Sequence, residues 1–294
     1  MKKGHSGGIA FDIVNYIILL VLVFITAYPF YYILIYSISD PVEVQKGIGF
    51  LPAGFTLDNF MTIFKLKGIA NAVLISVLRA VAGTVLTVLC CTFFAYLVTK
   101  KELYFRKVIY RFVIVSMYFN AGFIPWYITM KTLGLKNNFL LYILPGSITA
   151  FFVILIKTYI EQLPSALEES AKIDGAGYIS VFINIIFPLS KPIIATIAIF
   201  SAVGQWNAWI DNYFLVQNPK LTTLQLILYN YLNLASDIIN KSVKELGEGE
   251  QVSRITPTSI KMTMTMVVTI PIILVYPAMQ RHFVKGIMLG AIKG

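Results

Sequence analysis

Charge is scarce in this chain of 294 residues: Asp, Glu, Lys and Arg make up 13% of it, against 57% apolar residues. That balance excludes one soluble core, because so much apolar surface cannot be hidden inside a single water-soluble domain, and it implies a polytopic membrane protein. Histidine is nearly absent. His5 and His282 both fall outside the apolar runs, so no histidine metal cluster can form within a membrane and no metal site is expected. The chain has no Gly-x-x-x-x-Gly-Lys-Ser/Thr loop to cradle a nucleotide and no His-Glu-x-x-His pair to hold a catalytic zinc. Its connectors lack the paired carboxylates or metal cluster that an enzyme acting on lipid-linked sugars would need, so no catalytic residue is assigned. The two cysteines, Cys90 and Cys91, are neighbours inside an apolar run. Adjacent helical positions point different ways, which rules out an ordinary bridge and leaves the redox compartment open.

Acidic residues are the scarcer sign, 14 against 24 basic ones, for a formal charge of +10. The bases sit in short connectors between apolar runs, where membrane orientation and anionic lipid would place them, so nucleic acid is not an expected partner. A helix needs about 20 mostly apolar residues to cross a bilayer. Such runs lie at roughly 11–37, 69–98, 108–130, 138–160, 191–216 and 260–280, which predicts an all-α fold of six transmembrane helices in a single domain, 1–294. The first run follows Lys2 and Lys3 but lacks a small-x-small cleavage site, so it is an uncleaved span rather than a signal peptide. Lys and Arg at 2–3, 100–111 and 281–293 place both termini in the cytoplasm, although the outer connectors also carry lysines, among them Lys46, Lys65 and Lys220. Pro29, Pro125, Pro145, Pro271 and Pro277 fall inside spans and are expected to kink a tightly packed bundle.

One polar break stands out, the cytoplasmic loop 161–190. Pro164 is expected in the first turn of a helix that carries Glu168 and Glu169 near the positive end of its dipole, and Glu168 is positioned to pair with Lys172 one turn on. Gly175 supplies a left-handed stop. A second short helix over Tyr178 to Ile186 places Val181, Phe182, Ile185 and Ile186 on one side, and Pro188 and Pro192 close the segment. The small residues Ser170 and Ala171 would let another backbone come close.

Glu169-Ser170-Ala171, three spacers, Gly175, nine spacers, then Ile185-x-Phe187-Pro188 resembles the "EAA" loop of permease subunits of binding-protein-dependent ABC importers. Ser170 stands where that pattern has Ala, and Phe187 where it has Leu. Phe50 to Phe60 and Gly204-Gln205-Trp206-Asn207-Ala208-Trp209 resemble sugar-importer permeases of the maltose-system type. The ending Phe283 to Gly294 resembles the subgroup associated with complex oligosaccharides and polysaccharide fragments. The resemblance implies the type I ABC-importer permease (MetI-like) fold in a bacterial cytoplasmic membrane. It also implies a heterodimer with a second, homologous permease, two ATPase subunits carrying ATP and Mg, an extracytoplasmic solute-binding protein, and no cofactor or catalysis in this chain. Glu168, Glu169, Ser170, Ala171, Asp174, Gly175 and Pro188 become the ATPase-coupling residues, with Glu169 reaching into the ATPase groove and the C-terminal tail touching the ATPase dimer.

Sugars are held by aromatic rings on their apolar faces and by amides and carboxylates on their hydroxyls. Span five offers Gln205, Trp206, Asn207, Trp209 and Asp211 for this work, with Asn212 beside them. The competing reading seats Trp209 to Tyr213 at the outer interface, where aromatic and polar residues are at home. Arg79 in span two is explained more simply by a structural pair or by snorkelling, and is left out of the site. The aromatic stripe of Tyr16, Tyr28, Tyr31, Tyr32 and Tyr36 reads as packing or interfacial belt. Two alternatives remain at this point: an importer permease for a non-sugar solute, and an ion-driven secondary carrier, for which Asp211 and Arg79 are thin support without paired halves.

Overall fold

The computed structural model describes residues 6–233 and 256–286, with side chains over 11–233, 256–275 and 277. The fold is all-helical. Three described helices are long and apolar enough to cross a membrane, Phe11–Ser37, Ile69–Thr99 and Pro257–Val275, and the number rises to at most five if each of two sharply bent helix pairs is counted as one span. The chain packs as two compact units, residues 1–67 with 230–270 and residues 68–229 with 271–294.

In the first unit, α1 (Ser6–Ser37) is apolar on every side and exposed along most of its length, which in a protein means lipid or another chain rather than water. Pro29 lies inside it without ending it. The tyrosine stripe is present, with rings of Tyr28, Tyr32 and Tyr36 following one another at 6.5 and 6.2 Å. The segment beyond α1 turns back on the helix end. Asn59, at the start of α2 (Asp58–Lys65), donates to the carbonyls of Ser37 and Ser39 at 3.0 and 2.9 Å, and the Ser39 hydroxyl accepts from the Ala53 amide. The Phe50 to Phe60 motif is therefore a strap over the end of α1.

The second unit is organised on α3 (Ile69–Thr99). Along its length pack α7 (Ala150–Ile160) and α11 (Lys191–Asn207), and its core joins Cys91, Ala95 and Tyr96 of α3 to Val153 and Ile156 of α7 and Ile194 and Ile197 of α11. Three of the expected spans are not single helices. The run 108–130 is split into α4 (Arg106–Ser116) and α5 (Phe123–Thr132), separated by a stretch ending at Gly122, whose φ of 82° suits glycine. The run 138–160 is split between α6 (Leu140–Ile143) and α7 at Pro145-Gly146, because proline has no N–H to continue the ladder. The run 191–216 breaks between α11 and α12 (Ile210–Leu215) at Ala208-Trp209, where no proline or glycine stands. Pro125 lies inside the first turn of α5, where its missing N–H costs nothing, so it kinks no helix there.

The expected outer loop 219–259 holds a short 3-10 turn (Pro219–Leu221) and α13 (Leu224–Asn233), and its remainder falls mostly outside the described residues. The last helix, α14 (Pro257–Gly286), starts earlier than expected and contains Pro271 and Pro277. Residues 287–294 of the C-terminal motif lie outside the described residues.

Candidate functional site

The loop 161–190 forms a hook, the helix–turn–helix that its residues dictate. α8 (Ser165–Ile173) leaves α7 at a bend of 77°, and the following helix, Tyr178–Leu189, which joins α9 (Tyr178–Val181) to α10 (Phe187–Leu189), meets α11 at 80°, so both lie across the direction of the span helices. Pro164 is the N-cap, with extended ψ of 124°, rather than a first-turn residue as expected. The turn closes as a Schellman motif: Gly175 (φ 83°) donates to the Lys172 carbonyl at 3.1 Å and Ala176 to that of Ala171 at 2.9 Å. In the second helix Val181, Phe182 and Ile186 are buried in the core shared with α3 and α7, and Ile185 is half-buried. This helix widens to a π turn over Phe182–Ile186, just ahead of Pro188, which has no N–H to return to Asn184.

Two sides of α8 do different things. Glu169, Ser170 and Asp174 are exposed, and Ile173 is 86% exposed, an unusual position for isoleucine. Ala171 is half-buried and packs on the unit's own core, so only Ser170 of the small pair faces outward. The expected Glu168–Lys172 pair does not form. Glu168 turns inward to Lys100, while Lys172 reaches Glu102 at 3.2 Å, because the end of α3 offers each a partner of opposite sign across the fold. Lys100 also sits 4.0 Å over the Tyr96 ring. Burial lowers its pKa from the ordinary lysine value, with the Glu168 carboxylate pulling it back up. The bond from Lys172 raises the lysine and is among the causes holding Glu102 low, the first being a backbone hydrogen bond.

A second constellation lies around the break in span five. Arg79, on α3 and only 3% exposed, grips Asp211 in a fork, Nη1 to Oδ1 at 3.0 Å and Nη2 to Oδ2 at 2.5 Å. Its Nη1 also donates to the Ala208 carbonyl at 3.3 Å and its Nε to Gln205 Oε1 at 3.1 Å. One guanidinium thus holds the last turn of α11, its frayed carbonyl and the first turn of α12, which explains why the helix breaks without proline or glycine. Tyr142 lies beneath, with the Arg79 carbon 4.5 Å from its ring centroid and its hydroxyl accepting from Asn212 Nδ2 at 2.7 Å. Asn212 is fully buried and accepts from the Thr223 amide at 2.9 Å. Gly83 lets Gln205 lie against α3, since a Cβ there would stand 2.7 Å from the Gln205 amide.

Around this cluster is a cavity of about 340 Å³ whose wall includes Arg79, Gln205, Asp211, Thr87 and Ser201 alongside Trp126, Tyr142, Phe152 and Phe200. A neighbouring cavity of about 300 Å³ is lined by Phe123, Trp126, Asn207, Trp209 and Asp211. Of the span-five residues singled out, Gln205 and Asp211 face the first and Asn207, Trp209 and Asp211 the second, whereas Trp206 lines neither. Trp209 is stacked on Tyr229 at 4.0 Å and 16°. Arg79, read from sequence as structural, is both: it is paired, and it is cavity wall. Its signal was the lone cation in a long apolar run, and its partner 132 positions away carried the matching acid.

The family model of the binding-protein-dependent transport system inner membrane component matches residues 88–289, and the chain belongs to that family. It is a multi-pass, non-catalytic permease subunit. It is similar to the polygalacturonan/rhamnogalacturonan transport system permease protein YtcP of Bacillus subtilis, 35% identical over 97% of this chain and 98% of that one. Protein LplC of the same organism is 36% identical over 98% and 97% of the two chains. Among solved structures, a chain of a bacterial ABC transporter involved in the import of the acidic polysaccharide alginate superposes with a TM-score of 0.85 at 27% identity, covering 96% of this chain and all of that one.

Proposed function

We propose that this chain is one half of the translocation pathway of an ATP-driven importer for oligosaccharides or polysaccharide fragments. The observation that carries the reading is the aromatic-walled cavity at the span-five break, where rings and hydrogen-bonding groups converge as sugar faces and hydroxyls require. The names of the relatives support the same cargo class. Gln205, Asn207, Trp209 and Asp211 line the route, and Trp206 stands between Gln205 and Asn207 in the chain.

In this reading the chain follows the type I permease plan of six spans, with the broken pieces α4–α5, α6–α7 and α11–α12 each serving as one span and both termini in the cytoplasm. A second, homologous permease supplies the other half. Two ATPase subunits bind ATP and Mg and take hold of the exposed side of the hook, through Glu169, Ser170 and Asp174, with Gly175 setting the angle and Pro188 ending the second helix. An extracytoplasmic solute-binding protein delivers the cargo.

The test is uptake by the reconstituted complex of labelled pectin fragments against neutral oligosaccharides. The expected result is ATP-dependent accumulation of at least one glycan class in the presence of the binding protein. Uptake that persists without ATP and collapses with an ionophore would contradict the reading.

A further inference from the structure

The hook is tied to the body of its unit by charge as well as by chain. The covalent routes out of α8 and the helix after it both pass through bends, 77° into α7 and 80° into α11, where a push is absorbed by turning the hinge. α3 has no such break. It runs unbroken from Ile69 to Thr99, and the residues at and beyond its end meet the hook directly. Glu168 holds Lys100, and one turn on Lys172 holds Glu102, so the acid and the base change sides along the seam. The Tyr96 hydroxyl donates to the Tyr178 carbonyl at 3.1 Å, and Lys172 lies 4.9 Å from the Tyr178 ring centroid, which fastens the far side of the Gly175 turn as well. The Lys100–Glu168 pair is shielded, with side chains 10% and 20% exposed, so water does not loosen it as it loosens a surface pair. Farther along the same α3, roughly 30 Å away at 1.5 Å per residue, Arg79 grips both halves of the span-five break.

We propose that Lys100–Glu168 and Glu102–Lys172 form a clasp that makes the hook and α3 move as one body, so that a displacement imposed on α8 reaches the cavity along α3 and through Arg79. The four are positioning residues for transport and touch neither cargo nor nucleotide. The proposal rests on the reading of the hook as the ATPase contact. It assigns Glu168 to transmission inside the permease and leaves Glu169 for the partner.

The experiment uses the whole complex in proteoliposomes and reads subunit co-purification, ATP hydrolysis and sugar taken up per ATP. Lys100→Glu is expected to cut sugar per ATP about tenfold with hydrolysis largely kept, and the swap Lys100→Glu with Glu168→Lys to recover most of that loss. Should Lys100→Glu fail to assemble, the more exposed pair gives the same readout through Glu102→Lys, Lys172→Glu and their double swap. A merely structural role predicts that uptake and hydrolysis fall together. That result, or swaps no better than the single changes, overturns the clasp. Failure of the underlying reading looks different: no ATPase subunit would co-purify with the unaltered chain.

Discussion

The hook and the cavity belong to the same compact unit and were built by opposite means. The hook is a stretch of consecutive residues, 163–189, in which each step obeys a local rule: Pro164 at the cap, Gly175 at a left-handed turn, an apolar face on the second helix, Pro188 at its end. The cavity is assembled from Arg79, Trp126, Tyr142, Gln205 and Asp211, which stand on five different helices, the last two on either side of a helix break. In the proposed reading the hook can be written locally because its partner is another chain. A buried polar cluster cannot, because each group in it must be satisfied by a partner elsewhere in the fold.

The largest test of that contrast is Arg79→Met. It leaves the Asp211 carboxylate without its cation and should cost about 3–5 kcal/mol, seen as a lowered melting point of the detergent-solubilised complex. Removing both charges, with Asp211→Leu added, should cost less than either single change. If the double variant is worse than both, the pair is not the unit that holds the break. At the hook, Gly175→Val should strain the turn by about 1–2 kcal/mol and lower sugar per ATP, because its φ of 83° is hostile to a branched side chain. No atom lies within 4 Å of a Cβ at that position, so the cost is in the backbone alone. Gly175→Asn, which tolerates the left-handed region, should keep more activity than Val, and equal losses in the two would show that the turn angle is not what matters. The smallest effect is expected for Gly83→Ala, which pushes the flexible Gln205 amide off Arg79 and forfeits about 1 kcal/mol. Uptake should drop more than the melting temperature, and the reverse order would mark Gly83 as a packing residue only.

The same contrast explains what the sequence disclosed. The polytopic class, the positions of the apolar runs and the turn at Gly175 follow from composition, run length and glycine chemistry, all visible along the chain. Continuity of the spans was not visible. Pro145-Gly146 and Gly122 mark two breaks, but the break at Ala208-Trp209 is imposed by an arginine on another helix. Glu168 and Lys172 are spaced as a helical pair, yet each finds a better partner at the end of α3, since an i, i+4 pair on a helix surface is worth only a few tenths of a kcal/mol. Asp211 was legible as a costly group in a membrane run. Its bond to Arg79 was not.

The most direct measurement places a photoactivatable cross-linking residue at position 169, and separately at 168, in the assembled transporter. The account predicts that position 169, exposed on α8, joins to the ATPase subunit, while position 168 joins within the permease near Lys100. Adducts to the ATPase from 168 and none from 169, or none from either, would contradict it.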